Sequence, residues 1–212
     1  MNAWALCRSP QSFVKEFPAP PDCNSRTFRA ELSEVRRISD TRTPKQLEIA
    51  QFWAGNPGTP TPPGIWNKIA SKAIKQANIK SAKKAAYILQ VLNAAQFDAS
   101  RVAWAFKYKY WSIRPSQADP AITTPIGLPN FPCYISGHST FSAASATVLS
   151  AFFPNSKDEF RQLAKQAGIS RIYGGIHFPS DNRTGLAVGK AVAQDVLTAF
   201  DIKGKAERSK TA

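Results

Sequence analysis

The chain holds two histidines, His138 and His177, and each lies among residue types that catalysis uses. His138 follows Ser136 and Gly137 where the pattern predicts the start of a helix. Unpaired backbone N–H groups and the positive end of the helix dipole favour an anion there, and the Ser136 hydroxyl adds a donor. Serine before an apolar helix is also an ordinary cap, and alone the segment says no more than that. His177 stands in Ser-Arg-Ile-Tyr-Gly-Gly-Ile-His-Phe-Pro-Ser-Asp, six residues after Arg171 and four before Asp181. With Pro179 opening a helix, the Asp181 carboxylate reaches back to one imidazole nitrogen. That contact fixes the tautomer and leaves the other nitrogen free to attack or to ligate. A third segment, Lys107-x6-Arg114-Pro115, supplies a lysine near a helix end and an arginine before a proline. Lys107, Arg114 and Arg171 together offer three fixed positive charges. Charge-assisted hydrogen bonds of about 1.5 to 3 kcal/mol each would hold a tetrahedral oxyanion firmly.

These residues must be carried by elements, and the periodic ones are all helical. Apolar positions at Ala85, Ile88, Leu89, Leu92, Ala95, Val102, Ala103 and Phe106 recur every three to four residues, which predicts one long or kinked helix over 81–107. Shorter helices are expected over 45–54, 65–77, 141–153 (opened by Ser136), 158–168 and 181–200, with a Pro-punctuated loop over 116–135. The fold class is therefore all-α, a helical bundle. Residues 1–44 carry scattered charge and little sustained periodicity, so an irregular N-terminal arm or a truncated edge is expected there. The helical oxyanion-binding domain would follow over 45–202, then a basic tail over 203–212.

Composition excludes several classes of function. Among 212 residues, 43% are hydrophobic and 20% charged, which suits a folded core rather than a disordered chain. No apolar run approaches the length of a membrane span. The N terminus lacks the pattern of a secretory signal, so export would need a leader outside this sequence. Cys7, Cys23 and Cys133 are far apart with no C-x2-C, which argues against zinc and for buried or free thiols. The net charge of +14 attracts anions; between residues 51 and 118 ten Lys and Arg face a single acid, Asp98. The group over 68–84 reads either as a solvated helix face or as a patch for acidic partners. It lacks the basic and aromatic interleaving of a specific nucleic-acid reader.

In order and spacing, Lys107-x6-Arg114-Pro115, Ser136-Gly137-His138 and Ser170-Arg171-x5-His177 with Asp181 resemble the signature of the type 2 phosphatidic acid phosphatase and vanadium-dependent haloperoxidase superfamily. The resemblance covers Trp104 to about Gly189. It implies a helical bundle whose core pocket binds vanadate or phosphate. Lys107, Arg114 and Arg171 would clamp the oxyanion, and Ser136 and the Gly137 N–H would donate to it. His177 would bond to vanadium or phosphorus, His138 would act as acid or base, and Asp181 would orient His177. Trp104 and Phe131 resemble the aromatics that border the halide site of the soluble haloperoxidase branch, and Lys107 would polarise bound peroxide.

The reading this favours is a vanadate-dependent haloperoxidase-like enzyme acting on peroxide and halide. The alternatives are a soluble acid phosphatase working on phosphate monoesters through a phosphohistidine, and a non-enzymatic basic anion- or nucleic-acid-binding protein. Ile135 stands where the phosphatase form of the motif usually has proline. The chain is also short for the haloperoxidases, so a homodimer could be what completes the pocket wall.

Overall fold

A computed structural model describes residues 8–56 and 58–202; Cys7 and the basic tail over 203–212 lie outside the described residues. The helices are α1 Pro10–Glu16, α2 Arg26–Asp40, α3 Pro44–Phe52, α4 Pro62–Gln76, α5 Ala82–Tyr110, α6 Pro115–Ala118, α7 Gly137–Phe152, α8 Lys157–Tyr173 and α9 Pro179–Ala199, with a 3-10 turn over Pro154–Ser156. Among the described residues there is no strand, and the chain is all-α as expected. No helix among them is long and apolar enough to cross a membrane.

Helix α7 is the axis of the bundle. Its sequence, rich in Ala, Ser and Thr, buries nine side chains, and α5, α8 and α9 pack around it. The contact with α9 is backbone to backbone, because α9 presents glycine where the helices meet. A Cβ on Gly189 would lie 2.1 Å from the Thr140 carbonyl oxygen, and one on Gly185 would lie 2.8 Å from that of Ser136. Those pairings make α7 and α9 run parallel, so their N-termini lie side by side, joined where Ser136 N–H donates to Asp181 O at 3.1 Å. Helices α3, α5 and α8 bring their C-terminal ends to the same place, as the contacts described below show. Trp111, in the left-handed region at φ +46°, ends α5 and turns the chain toward Arg114.

The expected irregular arm over 1–44 is corrected by two helices. In α2, Phe28, Leu32, Val35 and Ile38 do recur at helical spacing and pack with Ile122, Cys133, Ile172 and Phe178 in a second small core. Five charged residues, Arg29, Glu31, Glu34, Arg36 and Arg37, interrupt that stripe, which is why it carries so little hydrophobic signal. In α1, proline opens a seven-residue helix that buries Phe13. The loop expected over 116–135 contains the single turn of α6 at its start.

Candidate active site

Lys107, Arg114, Arg171, His177 and Asp181 are all 2–3% exposed, and Ser136 is fully buried. The structure brings the three predicted segments to one place although seventy positions separate Lys107 from His177. His177 Nδ1 lies 2.9 Å from Asp181 Oδ2, across one turn at the start of α9. Its Nε2 faces Arg114 Nη1 at 3.4 Å. A guanidinium can only donate and an ionised carboxylate can only accept, so the proton is on Nδ1 and the lone pair on Nε2. Burial first, then the charges of Arg114 and Lys107, hold the imidazole well below its usual pKa and keep it neutral. Burial likewise pushes Asp181 up to about 6.

Ser136 caps α7, its hydroxyl accepting from Ser139 N–H at 3.3 Å. Gly137, the first residue of α7, has no intrahelical partner for its N–H. His138, half-buried beside them, points Nε2 at the Trp53 carbonyl at 2.7 Å. Burial and then the Arg171 charge push its pKa down to about 3.

The cations are held by carbonyl oxygens. Lys107 Nζ donates to Pro132 O and Cys133 O at 2.9 Å and to Ile135 O at 2.8 Å, which engages all three of its N–H bonds. Lys107 thus fastens the segment leading into Ser136, and a contact with an oxyanion requires one carbonyl to be exchanged. Arg114 donates to Ile176 O at 2.7 Å and to Phe131 O at 3.0 and 3.2 Å. Arg171 donates to Ser170 Oγ at 2.9 Å and to Ala50 O. Among the described residues none of the three forms an ion pair with a carboxylate. Desolvation lowers Lys107 to about 8 and Arg171 to about 9. Three buried cations beside one buried carboxylate leave an excess of positive charge that proteins ordinarily pair.

Phe131 lies over this cluster, its ring centroid 5.1 Å from both Lys107 Nζ and Arg114 Cζ, and Trp104 packs against it at 5.1 Å. Phe131 is 40% exposed, so it borders the site rather than filling the core. By contrast, the six lysines over 68–84 are all exposed.

Cys133 escaped the sequence reading, which placed it only among buried or free thiols. Its Sγ donates to Asp181 Oδ2 at 2.9 Å and lies 3.4 Å from His177 Nδ1. Burial and the Asp181 charge push the thiol well up, so it stays protonated and remains a donor. Asp181 Oδ2 therefore accepts from Cys133, His177 and, at 2.8 Å, Phe178 N–H. Sγ, Nδ1 and Oδ2 lie within 4.8 Å of one another, close enough to share a cation, but the protons between them account for the grouping. The carbonyls of Ala50 and Trp53 also escaped, since no residue type announces a carbonyl partner. The one available signal for Cys133 was its position three residues before Ser136, just ahead of the motif.

Known structures share this fold. A bacterial vanadium-dependent iodoperoxidase matches with a TM-score of 0.76 and 28% identity, over 88% of this chain and 53% of that one. A bacterial vanadium-dependent chloroperoxidase matches with a TM-score of 0.74 and 14% identity, over 92% and 52%; at that identity the likeness is one of fold. A transmembrane PAP2-type phosphatidylglycerolphosphate phosphatase from Bacillus subtilis matches with a TM-score of 0.57 and 17% identity, over 91% and 92%. The chain thus spans about half the length of the haloperoxidases it matches. No curated protein sequence matches it significantly. The model of the PAP2 superfamily matches residues 86–203, more than half of the chain, and the chain belongs to that superfamily.

Proposed function

We propose that the chain is a vanadate-dependent haloperoxidase-like enzyme that oxidises halide with hydrogen peroxide. The observation that carries this reading is the buried excess of positive charge, bordered by half-buried Trp104 and exposed Phe131, at a neutral His177 whose Nε2 lone pair faces the cations. This donor set fits a tetrahedral oxyanion. Arg114, Arg171, the Gly137 N–H and the Ser136 hydroxyl would hold its oxygens, Lys107 would add charge, and His177 Nε2 would bind it directly. Vanadate, when bound, would supply the Lewis-acidic centre at which peroxide is activated.

The chain's own residues supply the rest. The Asp181 carboxylate keeps the His177 proton on Nδ1, so Nε2 stays available as a ligand atom. His138, with its Nε2–H on the Trp53 carbonyl, keeps the Nδ1 lone pair free and would take the peroxide proton there once a bound oxyanion offsets the Arg171 charge that holds its pKa down. Phe131 and Trp104 offer the halide a partly desolvated approach beside Lys107 and Arg114. Iodide is the first halide to test, since the haloperoxidase of 28% identity is an iodoperoxidase.

One observation favours a second reading, phosphate-monoester hydrolysis. A PAP2-type phosphatase shares the fold, and the same buried cations and His177 Nε2 would suit the phosphoryl group of an ester. In that chemistry His177 Nε2 would form a bond to phosphorus as the ester P–O bond breaks, and His138 would protonate the departing oxygen. A pKa near 3 leaves His138 almost unprotonated and only weakly basic in the free site, so it bears equally on an acid and a base role and does not separate the two readings. The experiment is to strip the protein of phosphate, add vanadate and follow peroxide-dependent halogenation of a dye with iodide, bromide and chloride. Halogenation supports the haloperoxidase reading. Its absence with every halide, together with vanadate-inhibited hydrolysis of a phosphate monoester, replaces it with the phosphatase.

A further inference from the structure

Two contacts of the site come from outside the segment matched by the family model, and both come from one turn. Ala50 O accepts from Arg171 Nη2, and Trp53 O accepts from His138 Nε2 at 2.7 Å. A carbonyl oxygen can only accept, so the His138 proton sits on Nε2 and its lone pair on Nδ1. Arg171 is fixed at Nε by Ser170 and at Nη2 by Ala50, so the guanidinium fork cannot swing and Nη1 is its remaining nitrogen.

The turn that supplies these carbonyls is itself anchored. The Trp53 side chain is fully buried and packs on Trp66 with ring centroids 6.0 Å apart. Its indole Nε1–H donates to Gln166 Oε1 at 3.0 Å. Gln166 lies on α8, the helix that carries Arg171, so the α3 turn is tied to that helix through Gln166 and through Ala50.

We propose that the C-terminal turn of α3 is a positioning element for the oxyanion site. In it, Trp53 holds His138 as the Nε2–H tautomer, Ala50 O orients Arg171, and Gln166 is the anchor. The inference rests on the reading of His138 and Arg171 given above. It carries a signature independent of turnover: the two histidines are locked in opposite tautomers, His138 protonated on Nε2 and His177 on Nδ1. Gln166 is exposed, so replacing it leaves the core intact.

The test uses the whole chain labelled with 15N-histidine, whose two histidines make the ring-nitrogen spectrum simple to assign. At neutral pH, without added anion, the wild-type spectrum should contain one tautomer of each kind. In Gln166→Leu and Trp53→Phe, which both remove the indole bond, His138 should become a mixture of tautomers while His177 keeps Nδ1–H. The calorimetric Kd for orthovanadate should rise roughly tenfold, the value of one hydrogen bond. Gln166→Glu, which keeps an acceptor for the indole, should restore both. A wild-type His138 protonated on Nδ1 overturns the proposal, and so does wild-type tautomer and affinity in both variants. Because the tautomers are read without vanadate, a failure to halogenate leaves this result standing, and a wrong tautomer leaves halogenation to be judged by itself.

Discussion

Burying neutral imidazoles makes a protein sensitive to acid, and His138 allows that cost to be isolated. An unfolded histidine titrates near pH 6.5, whereas folded His138 is held down to about 3 by burial and by the Arg171 charge. Between those values the unfolded chain binds a proton that the folded chain refuses, so the stability present above pH 6.5 is lost as pH falls toward 3. One proton is a factor of ten in the unfolding equilibrium per pH unit well below 6.5; between pH 6.5, where the unfolded histidine is half protonated, and pH 4.5 it amounts to about 2 kcal/mol. His177, also depressed, acts in the same direction. Asp181, raised from 3.8 to about 6, acts in the opposite one, because there the folded chain holds the extra proton. The clean measurement is therefore a comparison of His138→Gln with wild type. At pH 7 the variant should be the less stable, since its amide replaces a 2.7 Å bond to the Trp53 carbonyl imperfectly. On acidification wild type should lose stability faster, by about 2 kcal/mol more between pH 6.5 and 4.5. Urea unfolding in phosphate-free buffers across that range reads both curves. Parallel curves would refute the claim that the fold holds His138 neutral.

Three other outcomes follow from the same geometry. Arg171→Lys replaces a fork held by Ser170 and Ala50 with a point charge, and calorimetry should give a 10- to 100-fold weaker orthovanadate complex, about 1.5 to 3 kcal/mol; unchanged affinity would remove Arg171 from the site. Gly189→Ala drives a methyl to 2.1 Å from the Thr140 carbonyl and should cost about 1 to 3 kcal/mol, lowering Tm by several degrees; an unchanged Tm would mean that α7 and α9 are not packed this closely. Thiol labelling read by mass spectrometry should modify exposed Cys23 in the native protein and reach Cys133 only on unfolding. Native labelling of Cys133 would contradict its place against Asp181.

The site was legible where chemistry is written in residue type and spacing. Asp181 four residues after His177 meets its imidazole because both stand at the opening of α9, where one turn aligns such positions. Ser136 caps α7 as serine before an apolar run should. Helix α2 was not legible, because its four apolar residues are diluted by charge and one of those charges is itself buried: Glu31 accepts from Ser180 N–H at 3.1 Å and from Arg183 at 2.7 Å. Its place depends on a partner almost 150 positions away, which no local pattern records. Lys107 illustrates the same limit within the site. Its residue type predicts a charge for the oxyanion, but its distances to three carbonyls depend on the path of residues 132–135.

Seen from its charges, the bundle assembles opposite helix ends around one point. The N-termini of α7 and α9 bring positive dipole ends, and Lys107 and Arg171 sit in the last turns of α5 and α8, where carbonyl ends favour cations. Glycine at Gly185 and Gly189 lets α7 and α9 approach closely enough for Ser136 N–H to meet Asp181 O, which sets Gly137 beside His177 and Asp181. The cations reach this point from helices of opposite polarity, so their charge is held by carbonyl oxygens at 2.7–3.2 Å rather than by carboxylates. Carbonyls carry partial charge only, and they leave the excess positive charge to a ligand. A carboxylate placed at the same spot would stabilise the fold but would compete with that ligand. Asp181 avoids this because its Oδ2 is occupied by the protons of His177, Phe178 and Cys133. The single acid of the site is thus directed at the imidazole, and among the described residues the charge of the three cations is not paired with a carboxylate, as the proposed oxyanion site requires.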